Sequence, residues 1–283
     1  MPHLPWKLGS PSRLSRAGRL PVVTLVLLVV LGPILHALAG AAGQETIRVG
    51  VTAGPHEEVM EVVRDILAEQ GVRVEIITFS DYVTPNLVLA EGDLDANSFQ
   101  HLPYLERFAT DHGLKLTAIA PTLNFPMGLY SRRIQQPDEL KMGDSVAIPN
   151  DPTNGGRALL LLQDAGLIEL APGVDLAATP LDVVGNPKRL RILELDAAQL
   201  PRSLEDVALA AINTNYAIEA GLNPVRDAIH LEGAQSRFIN VIAVRTEEKD
   251  RPIFQKLIAA YHSERVRRFV EERFEGSVIP GWE

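Results

Sequence analysis

The chain has 283 residues, with 27 Lys and Arg against 36 Asp and Glu, a formal net charge of −9 and 46% hydrophobic residues. So acidic a chain, without clustered cations, is a poor nucleic-acid binder, because phosphate contacts need grouped Lys and Arg. Cysteine is absent, which excludes disulfides, thiolate nucleophiles, Cys-ligated zinc, iron–sulfur clusters and a lipid-modified cysteine.

Residues 1–39 read as a leader. Lys7, Arg13, Arg16 and Arg19 precede the apolar run Leu20–Leu31, and the small-residue stretch from His36 to Gly43 holds an Ala37-x-Ala39 site. This is the grammar of a secretory signal, to be set aside in fold reasoning. The alternative is an uncleaved anchor: the run from Leu20 to Leu38, broken by Pro21, Gly32 and Pro33, is about long enough to span a bilayer. Setting aside the four leader cations leaves 23 basic against 36 acidic residues, a net of −13. The remaining ~240 residues suffice for one large or two modest domains.

Strand and helix signals then alternate. Ile47–Thr52 reads as a strand, and residues 56–69 place Val59, Val62, Val63, Ile66 and Leu67 on one helical stripe that Gly71 ends. Val72–Phe79 alternates as a second strand, and a helix is predicted over 82–90. The stretch Asp93–Tyr104 packs two acids, two amides, an imidazole and two aromatics into twelve positions. It is too polar for a core and too aromatic for a solvated loop, and suits a loop whose side chains converge on a small zwitterion with an apolar tail. A helix near 102–111 and the strand Lys115–Ala120 follow. Ser145–Pro149 reads as a buried strand, and Asp151-Pro152 caps and opens a helix reaching about Ala165. Further strands are predicted over 190–195, 207–212 and 238–244, with helices over 214–220, 251–262 and 263–274. Alternation at this spacing predicts parallel α/β sheets with helical crossovers. No linker separates the halves, so two α/β lobes with the chain crossing between them are expected.

Few residues carry reactive chemistry. His56-Glu57-Glu58 lacks the second histidine of a zinc-protease helix and reads as a helix start. His101 and His112 are not at ligand spacing, so no metal site is expected. Gly155-Gly156-Arg157 lacks the lysine and hydroxyl of a phosphate loop. Ser98 lacks a nucleophile elbow. Asp93 and Asp95 read as turn and strand-edge residues rather than catalytic acids. Neither an enzyme nor a cofactor is expected.

Six segments in register resemble one family. They are Phe79-Ser80-Asp81-Tyr82-Val83-x-Pro85-Asn86, Asp95–Leu105, Pro149-Asn150-Asp151-Pro152-Thr153-Asn154-x-Gly156-Arg157, Leu200–Leu204, Ala211–Ala217 and the final Gly281-Trp282. Together they resemble the NLPA family of methionine-binding lipoproteins over residues 46–283. The resemblance implies a two-lobed periplasmic-binding-protein fold of type II. Lobe I would comprise 46–124 and 241–283, and lobe II 125–240. It also implies a monomer that captures methionine between the lobes and delivers it to an ABC permease with a separate ATPase. Carried over position by position, the ligand contacts fall on Phe79, Tyr82, Asn97, Phe99, His101, Tyr104, Arg157, Asn213 and Asn240.

The chemistry of these residues suits that ligand. Arg157 offers a planar fork to a carboxylate near the N-terminus of its helix. Asn213 and Asn240 offer carbonyl oxygens to an ammonium, and the aromatics suit a polarizable thioether. Two departures stand out. The lipid-accepting cysteine of the family is replaced by Ala41, leaving a released exported protein or a protein-anchored one held at the membrane. Leu123–Tyr130 fits less closely, which keeps open another small apolar amino acid or a methionine derivative as ligand. A hydrolase on the same fold would need a reactive group that the chain does not display.

Overall fold

Two curled sheets, with helices packed against them, carry the chain. The computed structural model describes residues 45–233 and 237–282; the leader and Ala41 lie outside the described residues. The strands are β1 (Glu45–Thr52), β2 (Val72–Phe79), β3 (Ala96–His101), β4 (Leu116–Asn124), β5 (Gly128–Tyr130), β6 (Ser145–Pro149), β7 (Glu169–Leu170), β8 (Val183–Gly185), β9 (Arg191–Leu195), β10 (Leu209–Ile212), β11 (His230–Leu231), β12 (Ile239–Arg245) and β13 (Ile279–Pro280). The helices are α1 (Pro55–Glu69), α2 (Thr84–Glu91), α3 (Leu102–His112), α4 (Pro152–Asp164), α5 (Leu200–Ser203), α6 (Thr214–Glu219), α7 (Pro224–Asp227), α8 (Pro252–Tyr261) and α9 (Glu264–Phe274).

One sheet has the order β13-β4-β12-β3-β1-β2 and the other β11-β5-β10-β6-β9, while β7 and β8 pair separately. The expected parallel pairing holds where a helix links neighbours: β1 with β2 and β3, and β6 with β9 and β10. It fails elsewhere. β12 runs antiparallel to both β3 and β4, and β5 runs antiparallel to β10 and β11. The reason lies in the crossings. A parallel neighbour needs a long crossover that returns the chain to the same edge, whereas β4 leads into β5 through Phe125, Pro126 and Met127 alone. β11 likewise reaches β12 with only residues 232–238 between them. Both sheets are therefore mixed.

Each sheet has its own core. Val59, Met60, Val63 and Leu67 of α1 pack with Phe254 and Leu257 of α8 and Val266 and Val270 of α9 against the first sheet. Leu159 and Leu162 of α4 pack with Leu129, Ile148 and Leu209 against the second.

The Asp93–Tyr104 stretch is not the expected loop. Residues 96–101 form a central strand buried along its whole length. Asp95 is also no solvated edge residue. Its carboxylate accepts the Arg48 backbone N–H and the Arg251 Nη1, each at 2.8 Å, so it stitches β1 and the start of α8 to β3.

The α4 start is held as the sequence suggests. Asp151 accepts the Asn154 N–H at 2.9 Å, and Pro152 occupies the first turn. Gly155 and Gly156 serve packing rather than phosphate. A Cβ at Gly155 would lie 2.9 Å from the Pro149 carbonyl oxygen, and one at Gly156 would overlap the Leu176 carbonyl. Gly156→Ala gains ~1 kcal/mol of helix propensity. Overpacking against backbone costs ~1–3 kcal/mol and wins. Thermal denaturation should show a lowered midpoint for this variant; an unchanged or raised midpoint would contradict the close approach.

Candidate functional site

A cavity with about 350 Å³ of empty space, its mouth included, opens between the sheets. Its wall is built at the C-terminal ends of parallel strands, the position where α/β sheets bind ligands. β1 leads to His56, β2 to Tyr82, and β3 ends in Phe99, Gln100 and His101 with Tyr104 just beyond. From the other sheet, β6 leads to Asn154 and Arg157 on α4, and β10 to Asn213, Thr214 and Asn215. Phe125, on the segment between β4 and β5, and Asn240, at the start of β12, complete the lining.

The lobes meet across this space. Tyr82 Oη donates to Asn215 Oδ1 at 2.5 Å, Tyr216 Oη to the Ser80 carbonyl at 3.2 Å, and the Tyr82 and Tyr216 rings lie 5.0 Å apart. At the aromatic end, Tyr82 stands 6.0 Å from both Phe99 and Tyr104. Burial holds the Tyr82 and Tyr104 phenols far above their ordinary range, so both remain donors.

At the other end Arg157, only 3% exposed, makes three hydrogen bonds. Nε and Nη2 donate to the Glu232 carboxylate at 3.1 and 2.5 Å, and Nη2 also reaches the Phe125 carbonyl at 2.7 Å. Its guanidinium carbon lies 4.1 Å from the Phe238 ring centre. The two-pronged edge that the sequence reading reserved for a ligand carboxylate is therefore filled by Glu232, leaving Nη1 for a ligand. Glu232 also balances the charge of Arg157, so this end suits a neutral zwitterion.

A chain of hydrogen bonds sets the direction of the amides. Asn154 Nδ2 donates to both Asp151 oxygens at 3.1 and 3.0 Å, which leaves its Oδ1 to accept Asn213 Nδ2 at 2.8 Å. With its nitrogen so committed, Asn213 leaves Oδ1 buried and without a partner. Asn215 Nδ2 is a second such atom, a donor. Orphaned buried polar atoms on a cavity wall are costly unless a ligand satisfies them. Burial raises the Asp151 carboxyl above its ordinary value, against the hydrogen bonds that lower it.

Seven of the nine residues carried over from the family line this cavity: Tyr82, Phe99, His101, Tyr104, Arg157, Asn213 and Asn240. Phe79 and Asn97 do not. Phe79 packs over Gly50 beside Leu94. Asn97 donates to Asn86 Oδ1 at 2.9 Å and accepts Gln100 Nε2 at 3.0 Å within a closed trio of amides. Simple strand alternation would put Asn97 on the face of Phe99 and His101. The pairing of β3 with β12 jumps from Gln100–Val241 to Ser98–Ile242, so Phe99 is the extra residue of a bulge and the alternation resets there.

His56, Gln100, Phe125, Asn154, Thr214 and Asn215 line the cavity without having been singled out as ligand contacts. The nearest signals were Asn154 on the helical face of Arg157, and Asn215 beside Asn213. Nothing in the sequence marks Glu232.

His101 Nδ1 accepts the Tyr104 N–H at 3.1 Å, so Nε2 carries the proton toward Asn154 Oδ1 at 3.3 Å. Burial, aided by Arg157, lowers the His101 pKa to about 3, and burial alone does the same for His56. Between pH 6.5 and 3 the unfolded chain thus binds protons that the folded one refuses. Stability should fall on acidification, by up to about 1.4 kcal/mol per pH unit from each ring. In NMR, neither ring should titrate between about pH 8 and 4.5; a midpoint near 6.5 for either would contradict its neutral, desolvated setting.

The family model described as NlpA lipoprotein matches residues 47–282. The D-methionine-binding lipoprotein MetQ of Escherichia coli K12 is 47% identical over 253 residues, 87% of this chain and 93% of that relative. The structure of a nutrient binding protein from Burkholderia cenocepacia bound to methionine superposes with a TM-score of 0.82 at 48% identity, covering 83% of this chain and all of that one. A periplasmic substrate-binding protein of an ABC transporter from Coxiella burnetii gives 0.80 at 51% identity, with 83% and 100% covered. The fold is that of a two-lobed substrate-binding protein, and the chain belongs to the NlpA lipoprotein family.

Proposed function

We propose that this chain is the substrate-binding component of an ABC importer, capturing methionine between its lobes and delivering it to the permease. The observation that carries the reading is the orphaned Asn213 Oδ1, a buried acceptor on the same cavity wall as the Arg157 guanidinium. An α-amino acid supplies what both lack: an ammonium for Asn213 Oδ1 and Asn240, and a carboxylate for Arg157 Nη1. The Tyr82, Phe99 and Tyr104 rings leave a thioether the aromatic contacts it favours. The D-methionine-binding name of the Escherichia coli relative and the methionine bound in the Burkholderia cenocepacia structure support the same choice.

In this reading the ligand contacts are Tyr82, Phe99, His101, Tyr104, Arg157, Asn213 and Asn240, with Phe79 and Asn97 as their support. Lobe I takes 46–124 and the chain from the start of β12 at Ile239, two residues earlier than the 241 the resemblance implies. Lobe II takes the segment between, and the ligand stabilises closure by touching both. The protein acts as a monomer, without catalysis and without nucleic acid. It is exported and works at the membrane through its importer or an uncleaved leader, since Ala41 cannot accept a lipid. Among the described residues no helix is long and apolar enough to cross a membrane.

Calorimetry on ligand-stripped protein tests the reading. L- or D-methionine should bind, and alanine or glutamate should not displace it. Asn213→Ala should weaken methionine binding ~10–100-fold, the worth of a hydrogen bond to a charged group. Arg157→Ala should cost at least as much. Full affinity in both variants would remove this cavity as the binding site.

A further inference from the structure

His56 lines the cavity, and the role of helix start explains only its backbone. The side chain is 2% exposed and sits between two partners. Nδ1 is 2.8 Å from Thr52 Oγ1 at the end of β1, and Nε2 is 2.8 Å from Asn240 Nδ2 at the start of β12. Its ring lies 4.4 Å from that of Phe125 on the crossing segment. Three elements thus fix the imidazole in place.

The chemistry of the contact assigns the proton. An amide nitrogen only donates, so the Nε2 that meets Asn240 Nδ2 must be the unprotonated, accepting nitrogen. The proton is then on Nδ1, donated to Thr52 Oγ1. Because the Asn240 amide is planar, anchoring its nitrogen against His56 turns its carbonyl oxygen away from the imidazole. An amide turned end for end would present two N–H donors in place of an acceptor.

Resting on the methionine reading above, we propose that His56 is a positioning residue, whose neutral imidazole holds the Asn240 amide so that its oxygen, not its nitrogen, meets the ammonium of the bound amino acid. It parallels the other wall, where Asp151 orients Asn154 and Asn154 orients Asn213. Each acceptor is thus aimed by a group behind it rather than by an opposing carboxylate.

The test compares L-methionine with 4-(methylthio)butanoate, the same molecule without its amine. His56→Met should weaken methionine binding ~10–100-fold while leaving the deaminated acid within ~threefold of the unsubstituted protein. His56→Gln, whose Oε1 replaces the accepting nitrogen, should recover most of the loss. Equal losses for both ligands would mean that His56 only packs, and would overturn the proposal. Long-range ¹H–¹⁵N NMR of the unsubstituted protein gives a readout independent of any variant's folding. It should find His56 protonated on Nδ1, and protonation on Nε2 would overturn the orientation argument. An unsubstituted protein that binds no methionine refutes the functional reading beneath, and the tautomer still decides whether His56 sets the amide.

Discussion

The guanidinium of Arg157 is the point through which the two halves of the molecule are tied. It projects from α4 of the second lobe, yet its hydrogen bonds end on both crossing segments. One reaches the Phe125 carbonyl, on the outward path, and two reach Glu232, on the return. Glu232 in turn accepts the Met127 N–H at 3.2 Å. Removing one member of such a buried pair strands the other charge, at a cost of ~3–5 kcal/mol. The pair therefore couples α4 to both connecting segments and leaves Nη1 outside it. The charge that lines the cavity is the charge that organises the crossing.

Around that tie, the cavity is a problem of amide orientation more than of net charge. Two neutral imidazoles and a capped aspartate determine which end of each asparagine is presented. None of this needs a free carboxylate on the cavity wall. A site so balanced favours a ligand with one charge of each sign, and its aromatic end favours an apolar tail over a third charge.

Much of this was legible in the sequence. Val72–Phe79 and Ser145–Pro149 were read with the boundaries the structure gives them, because alternating or short apolar runs bounded by turns permit little else. The Asp151-Pro152 start of α4 followed from capping chemistry. Three things were not legible. The bulge at Phe99 that removes Asn97 from the cavity depends on the register with β12, far along the chain. The ion pair of Glu232 joins residues 75 positions apart, and no local pattern announces it. His56 was read by its place at a helix start, which is correct for its backbone and silent about where its ring would meet Asn240.

The placement of β12 has a consequence for how the molecule is made. This strand lies between β3 and β4, yet it follows the whole second lobe in the chain. Until it has been synthesised and inserted, β3 and β4 lack their shared partner and expose strand edges, the state most open to wrong pairing. The first lobe begins the chain but cannot finish first. The second lobe, formed from one continuous segment, can close its sheet beforehand. Non-local pairing of this kind is slow, because a long loop must close before its contacts reward it. A lobe that cannot close early stays unfolded, and therefore extensible, until the last third of its sheet arrives.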